Sequence, residues 1–150
     1  MVRGQREYDG DVRQLAPMRA FLREVCQESW PGEPADEHLI LRLTLALTEA
    51  ASNIILHSFQ GQQHPSITLT VEVNDGQADV VLQYPGKPFD PQSAAAPVLD
   101  GSQEGGFGVY LIGQCVDEVQ YRQDEQGRSV IHLVQKRKQR SKGEDHEAHG

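Results

Sequence analysis

The chain has 150 residues, 37% hydrophobic and 24% charged, with a formal net charge of −8. That length fits one domain with a real core, and the acidic balance disfavours nonspecific binding to a nucleic-acid backbone. The two cysteines, Cys26 and Cys115, form no CxxC pair and the six histidines do not cluster at ligand spacing, which excludes a zinc module and predicts buried free thiols.

In chain order, Val2 to Tyr8 reads as an edge strand. Asp11 to Trp30 carries Leu15, Met18, Phe21, Leu22, Val25 and Cys26 at helical spacing, with Pro17 in the first turn. Pro31 to Pro34 is a loop, and Asp36 is expected to N-cap a long helix that ends near Ser58. Ser66 to Val73 alternates Ile67, Leu69, Val71 and Val73 with polar residues, which predicts a half-buried strand. Asn74-Asp-Gly76 is a hairpin turn, and Ala78 to Tyr84 is the returning strand. The segment from Pro85 to Gly106 is rich in Pro, Gly, Ala and Ser, a length that suggests a functional connection. A helix follows at Gly108 to Val116, then a second hairpin joins Glu118–Arg122 to Ser129–Gln135 around Asp124–Gly127. Residues 1–136 form the domain, and 137–150 make a polar tail expected to fray. The fold expected is α/β, a two-layer sandwich with a mixed, mainly antiparallel sheet and its helices on one face. The N-terminus has no apolar leader core and no run of 18 apolar residues occurs, so neither export nor membrane insertion is expected and the cytoplasm is the expected location.

Three motifs carry chemistry. Glu49-Ala-Ala-Ser-Asn53-Ile-Ile-Leu-His57 places a carboxylate, a carboxamide and an imidazole at intervals of four in a run that is otherwise apolar. Residues at that interval share one helix face. A buried carboxylate without a partner is costly, so the stripe is expected to face a cleft or a ligand; a solvated helix face is the simpler alternative. Tyr84-Pro-Gly86-Lys-Pro-Phe89-Asp90 leaves a strand, and its glycine lets the backbone come close to a flat ring. Gly105-Gly106-Phe107-Gly108 runs into an apolar helix, whose free N–H groups and dipole favour phosphate. Each of the last two has a plain alternative, a turn and a hinge.

Taken together and in this order, the three motifs resemble the ATP-binding GHKL superfamily, which has the Bergerat-type ATP-binding fold. The closer likeness is to the bacterial anti-sigma factor serine/threonine kinases, carried by Glu49-x-x-x-Asn53-x-x-x-His57, by Glu104-Gly-Gly-Phe-Gly-Val-Tyr-Leu-Ile112 and by Val116-Asp-Glu-Val119, over roughly residues 10–136. The resemblance implies ATP and Mg²⁺ as cofactors, Asn53 as metal ligand and Glu49 as general base. It implies nucleotide contacts at Tyr84, Gly86, Phe89, Asp90, Gly105, Gly106, Phe107 and Gly108, under a lid at 91–104. The family's second motif opens with an Asp that binds the adenine amino group, and Tyr84 stands there instead. The implied partners are a STAS-domain anti-sigma antagonist as substrate and a sigma factor held by the kinase, in a transcription switch that acts on no nucleic acid directly; family members are usually dimers. A non-catalytic binding module with weakened nucleotide affinity is the alternative.

Overall fold

The computed structural model describes residues 1–86 and 107–138, with the side chains of Phe107 and Gly108 excepted. Five strands form one sheet: β1 (Val2–Asp9), β2 (Ser66–Asn74), β3 (Gln77–Tyr84), β4 (Glu118–Gln123) and β5 (Ser129–Lys136). The helices are α1 (Leu15–Ser29), α2 (Pro34–Asn53) and α3 (Phe107–Cys115). The spatial order is β1-β2-β3-β5-β4, and every neighbouring pair is antiparallel. The sheet is therefore antiparallel throughout, with the helices on one side of it.

Period-two alternation decides which side chains meet the helices. On β2, Ile67, Leu69, Val71 and Val73 are fully buried, and on β3 so are Ala78, Val80, Leu82 and Tyr84. They join Met18, Leu22 and Cys26 of α1 and Ile40, Leu43, Leu47 and Ala50 of α2 in one core. At about 25 cal/mol per Å², each Val, Leu, Ile or Met side chain among them contributes roughly 1.5–3 kcal/mol. Gly4 of β1 packs under α1, where an added Cβ would lie 2.7 Å from the Phe21 ring. Burial pushes the Cys26 thiol up to about 12, whereas Cys115 is only partly buried; both cysteines are free.

The helix starts differ from the sequence expectation. Asp11 caps a 3-10 turn, Val12–Gln14, by accepting from the Arg13 N–H at 2.8 Å, and α1 begins after it. Helix α2 opens at Pro34, so Asp36 is not its N-cap. Proline suits the first helical turn because its missing N–H is unneeded there. Asp36 instead turns inward and accepts from Arg137 Nε at 2.7 Å and Nη2 at 3.1 Å. Arg137 Nη1 also reaches the Asp75 carbonyl at 3.0 Å, and its guanidinium lies 5.7 Å from the Trp30 ring centroid. The chain leaving β5 is thereby fixed to the start of α2.

Helix α2 ends in a π-helical turn, Ile54–Ser58, in which the Phe59 N–H bonds the Ile54 carbonyl at 3.1 Å. Together they make a 25-residue helix containing an 18-residue stretch of mean hydropathy 1.6, long and apolar enough to cross a membrane by length and composition. Its Ile40, Leu43, Leu47, Ala50 and Ile54 are packed into the core.

Candidate nucleotide site

Glu49 and Asn53 lie one turn apart at the C-terminal end of α2, each partly exposed. Among the described residues no side chain bonds to either. The same helix face carries Arg42, whose Nη2 donates to the Gln114 carbonyl at 2.6 Å. That bond ties the C-terminal end of α3 to the first half of α2. The i→i+5 spacing of the π turn takes His57 off the line shared by Glu49 and Asn53, and its side chain is exposed.

The π turn brings the first motif against the second. Phe59, just after it, meets Tyr84 edge to face, with ring centroids 6.1 Å apart at 75°. Gln62 Nε2 bonds the Ser58 carbonyl at 3.1 Å and the Pro85 carbonyl at 3.4 Å, bridging the helix end to the exit of β3. Ser129, fully buried at the start of β5, donates its hydroxyl to the Gly86 carbonyl at 2.7 Å. Gly86 has φ +117°, and a Cβ there would lie 2.6 Å from Gln62 Nε2 and 3.3 Å from the Ser58 carbonyl. Only glycine adopts this backbone without strain. Phe59, Gln62 and Ser129 hold the second motif in place, and nothing in their local sequence marks them for it.

Tyr84 is the fourth inward position of β3 and is 1% exposed. Its ring belongs to the core at the place where the resemblance expects a carboxylate. Burial raises the pKa of the neighbouring Tyr121, and Tyr84 adds to the rise. Phe107 and Gly108 open α3; Phe89, Asp90, Gly105, Gly106 and the expected lid at 91–104 lie outside the described residues.

Of the residues that the resemblance assigns to the phosphates and metal, Gly105 and Gly106 lie outside the described residues, and Asn53 is chemically suited to a magnesium nucleotide. Asn53 offers a hard amide oxygen, and magnesium takes few protein ligands, completing its shell with water and phosphate oxygens. The described residues contain no group of three or more His, Cys, Asp and Glu that could hold an ion unaided. Gly86 is required by the packing of the chain itself, since a Cβ there would meet Gln62 and the Ser58 carbonyl. The base half offers an aromatic ring and no carboxylate at position 84.

The sequence matches the family described as the histidine kinase-like ATPase domain over residues 9–133. The serine-protein kinase RsbW of Staphylococcus epidermidis is 27% identical over 110 residues, covering 67% of this chain and 69% of its own length. The serine/threonine-protein kinase BtrW of Bordetella bronchiseptica is 29% identical over 100 residues, covering 57% and 70%. The crystal structure of the RsbU and RsbW domains of Rv1364c from Mycobacterium tuberculosis matches with a TM-score of 0.63 at 16% identity, over 93% of this chain and 34% of that longer one. At such identity the likeness is one of fold. Sequence match, antiparallel sheet and one-sided helices agree: the chain belongs to the histidine kinase-like ATPase domain family.

Proposed function

We propose that this chain is an anti-sigma factor-type serine/threonine protein kinase of the cytoplasm. It binds Mg·ATP, phosphorylates a STAS-domain antagonist and holds a sigma factor or similar regulator. The observation that carries this reading is the pair Glu49 and Asn53, one turn apart and partly exposed at the end of the helix whose Ile40, Leu43, Leu47 and Ala50 are packed into the core. Relatives named as serine-protein kinases support the activity.

When bound, Mg·ATP supplies an activated phosphoryl group and the charge that neutralises it. Asn53 holds the metal through its amide oxygen. Glu49, one turn earlier, accepts the proton of the attacking hydroxyl, the task a positioned carboxylate performs in phosphoryl transfer. The backbone at Gly86 and the N-terminal end of α3 would receive the nucleotide. Tyr84 favours a second reading, a partner-binding module of the same fold with weakened nucleotide affinity. A phenol neither accepts as a carboxylate does from the adenine amino group nor repels a guanine carbonyl, so selectivity for ATP over GTP falls.

Calorimetric titration with Mg·ATP, with ADP as control, tests binding. Asn53→Ala is expected to abolish Mg-dependent binding, while Glu49→Gln retains binding and stops transfer of labelled phosphate to a STAS-domain substrate. Wild-type transfer by Glu49→Gln would remove Glu49 as the base. No binding of Mg·ATP by the wild type would leave the binding module as the better reading.

A further inference from the structure

The sheet ends on β1, an edge strand of eight residues, and among the described residues no strand pairs with its outer side. An open edge presents unpaired N–H and C=O groups to any strand that arrives, and proteins usually blunt it with proline, a bulge or a short length. β1 has none of these. It contains no proline, and its register with β2 runs unbroken from Val2 opposite Val73 to Asp9 opposite Ser66. It is also neutral, with Arg3 and Arg6 against Glu7 and Asp9, on a chain of net charge −8.

The two faces of the strand differ. Arg3, Gln5 and Glu7 stand opposite Glu72, Thr70 and Thr68, on the face away from the helices. Arg3 Nε lies 3.1 Å from Glu72, both side chains well exposed, and no ion pair among the described residues involves Glu7. Gly4, Arg6 and Tyr8 are on the helix side. There the Arg6 guanidinium lies 4.6 Å from the Phe21 ring centroid, and Phe21 and Val25 fill the space over Gly4.

Two copies related by a two-fold axis keep each residue on its own face, so antiparallel edges meet with one residue opposite itself. Opposite charges that face each other across strands are favourable and like charges unfavourable. With Arg6 opposite itself, two guanidinium groups collide. With Gly4 opposite itself, Glu7 to Asp9 overhang the end of the other strand. With Gln5 opposite itself, the overlap runs from Val2 to Tyr8 and Arg3 meets Glu7 of the second copy, twice over. In that register Arg6 faces Gly4, which has no side chain to obstruct it, and Val2 faces Tyr8.

We propose that β1 is an interface between two copies of this chain, paired antiparallel with Gln5 on the two-fold axis. The five-stranded sheets of the two copies then run on as one. The opposite edge, β4, is six residues long, and its Glu118 already has Lys136 within 3.9 Å; β1 offers the longer overlap. This interface does not depend on the kinase reading.

Sedimentation equilibrium of the whole chain is expected to show a monomer–dimer equilibrium with a Kd of about 1–100 µM, as suits a small interface. Arg3→Glu and Glu7→Arg, both exposed changes, should each weaken it about tenfold or more. Mixed in equal amounts, the two variants should associate as the wild type does, because each supplies the charge the other needs. The double variant Arg3→Glu/Glu7→Arg should dimerise alone. In a Cys115→Ser background, Gln5→Cys should cross-link two copies under oxidised glutathione, and Gln120→Cys on β4 should not. A wild type that stays monomeric at about 1 mM would overturn the proposal. So would single variants that dimerise unchanged, a mixture that gains nothing over its parts, or cross-linking through Gln120→Cys in place of Gln5→Cys.

Discussion

The pair between Asp36 and Arg137 joins residues 101 positions apart, and its removal should be felt by the whole domain. The side chains are 5% and 17% exposed, and the two bonds, at 2.7 and 3.1 Å, make the contact bidentate. Arg137→Met keeps the stem beside Trp30 but leaves the carboxylate buried alone, at a cost of about 3–5 kcal/mol. Asp36→Asn leaves Arg137 with the Asp75 carbonyl and the Trp30 ring, so the loss is smaller, about 1–3 kcal/mol. The double variant Asp36→Leu/Arg137→Met removes both charges and should recover most of the loss, since apolar replacement of a buried pair is often near neutral. Urea unfolding reads all three. With a slope of about 2 kcal/mol per M, Arg137→Met moves the midpoint down by about 2 M. A shift below about 0.3 M in Arg137→Met, or a double variant that loses the sum of the single losses, would refute the argument that the pair is buried and coupled.

Three other outcomes are expected. Tyr84→Asp exchanges a core ring for a carboxylate and should lower stability by about 3–5 kcal/mol, while ATP should raise the melting temperature of the variant more than GTP does; equal responses to the two nucleotides would count against position 84 as part of a purine pocket. Gly86→Ala forces a Cβ onto φ +117° against Gln62, a cost of about 1–3 kcal/mol measurable by thermal melting, and an unchanged melting temperature would mean the turn relaxes freely. Asp11 should titrate at about 2, because the Arg13 side chain and backbone N–H bond its carboxylate. Its folded value lies below its unfolded one, so its contribution is present above about pH 4 and fades as the pH falls towards 2; an NMR midpoint at the ordinary Asp value would show that the cap does not persist in solution.

The parts of the fold that were legible in the sequence are those governed by local periodicity. Alternation in Ser66–Val73 and the Asn74–Gly76 turn led directly to the β2–β3 hairpin, and helical spacing of Met18, Phe21, Leu22 and Val25 to α1. Asp36 shows where such reading stops. Aspartate is a common N-cap, but here Pro34 starts the helix and a partner beyond β5 claims the carboxylate, and a single sequence does not reveal that pairing. The π turn after Asn53 was hidden for another reason: its apolar residues suit an α-helix equally well, and only the hydrogen bonds distinguish the two. At the site, Glu49 and Asn53 stood out because polar groups interrupt an apolar run. Tyr84 drew notice as a departure from a motif, yet Ala78, Val80 and Leu82 before it already marked it as the next inward position of its strand. Ser129 and Gln62 act through contacts distant in sequence and had no local signal.

The strand order β1-β2-β3-β5-β4 also divides the folding reaction into two tiers. The β2–β3 and β4–β5 hairpins close over short turns and can form early, on the microsecond scale of isolated hairpins. Joining them, β3 to β5, links Tyr84 with Ser129, and adding β1 links Asp9 with Ser66. Those closures span long stretches of chain and bring little reward until the helices cover the inward valines and leucines, so they belong to the rate-limiting step. Residues that bridge late-joined strands therefore govern how fast the domain assembles, and Gly86 with Ser129 stands at that junction.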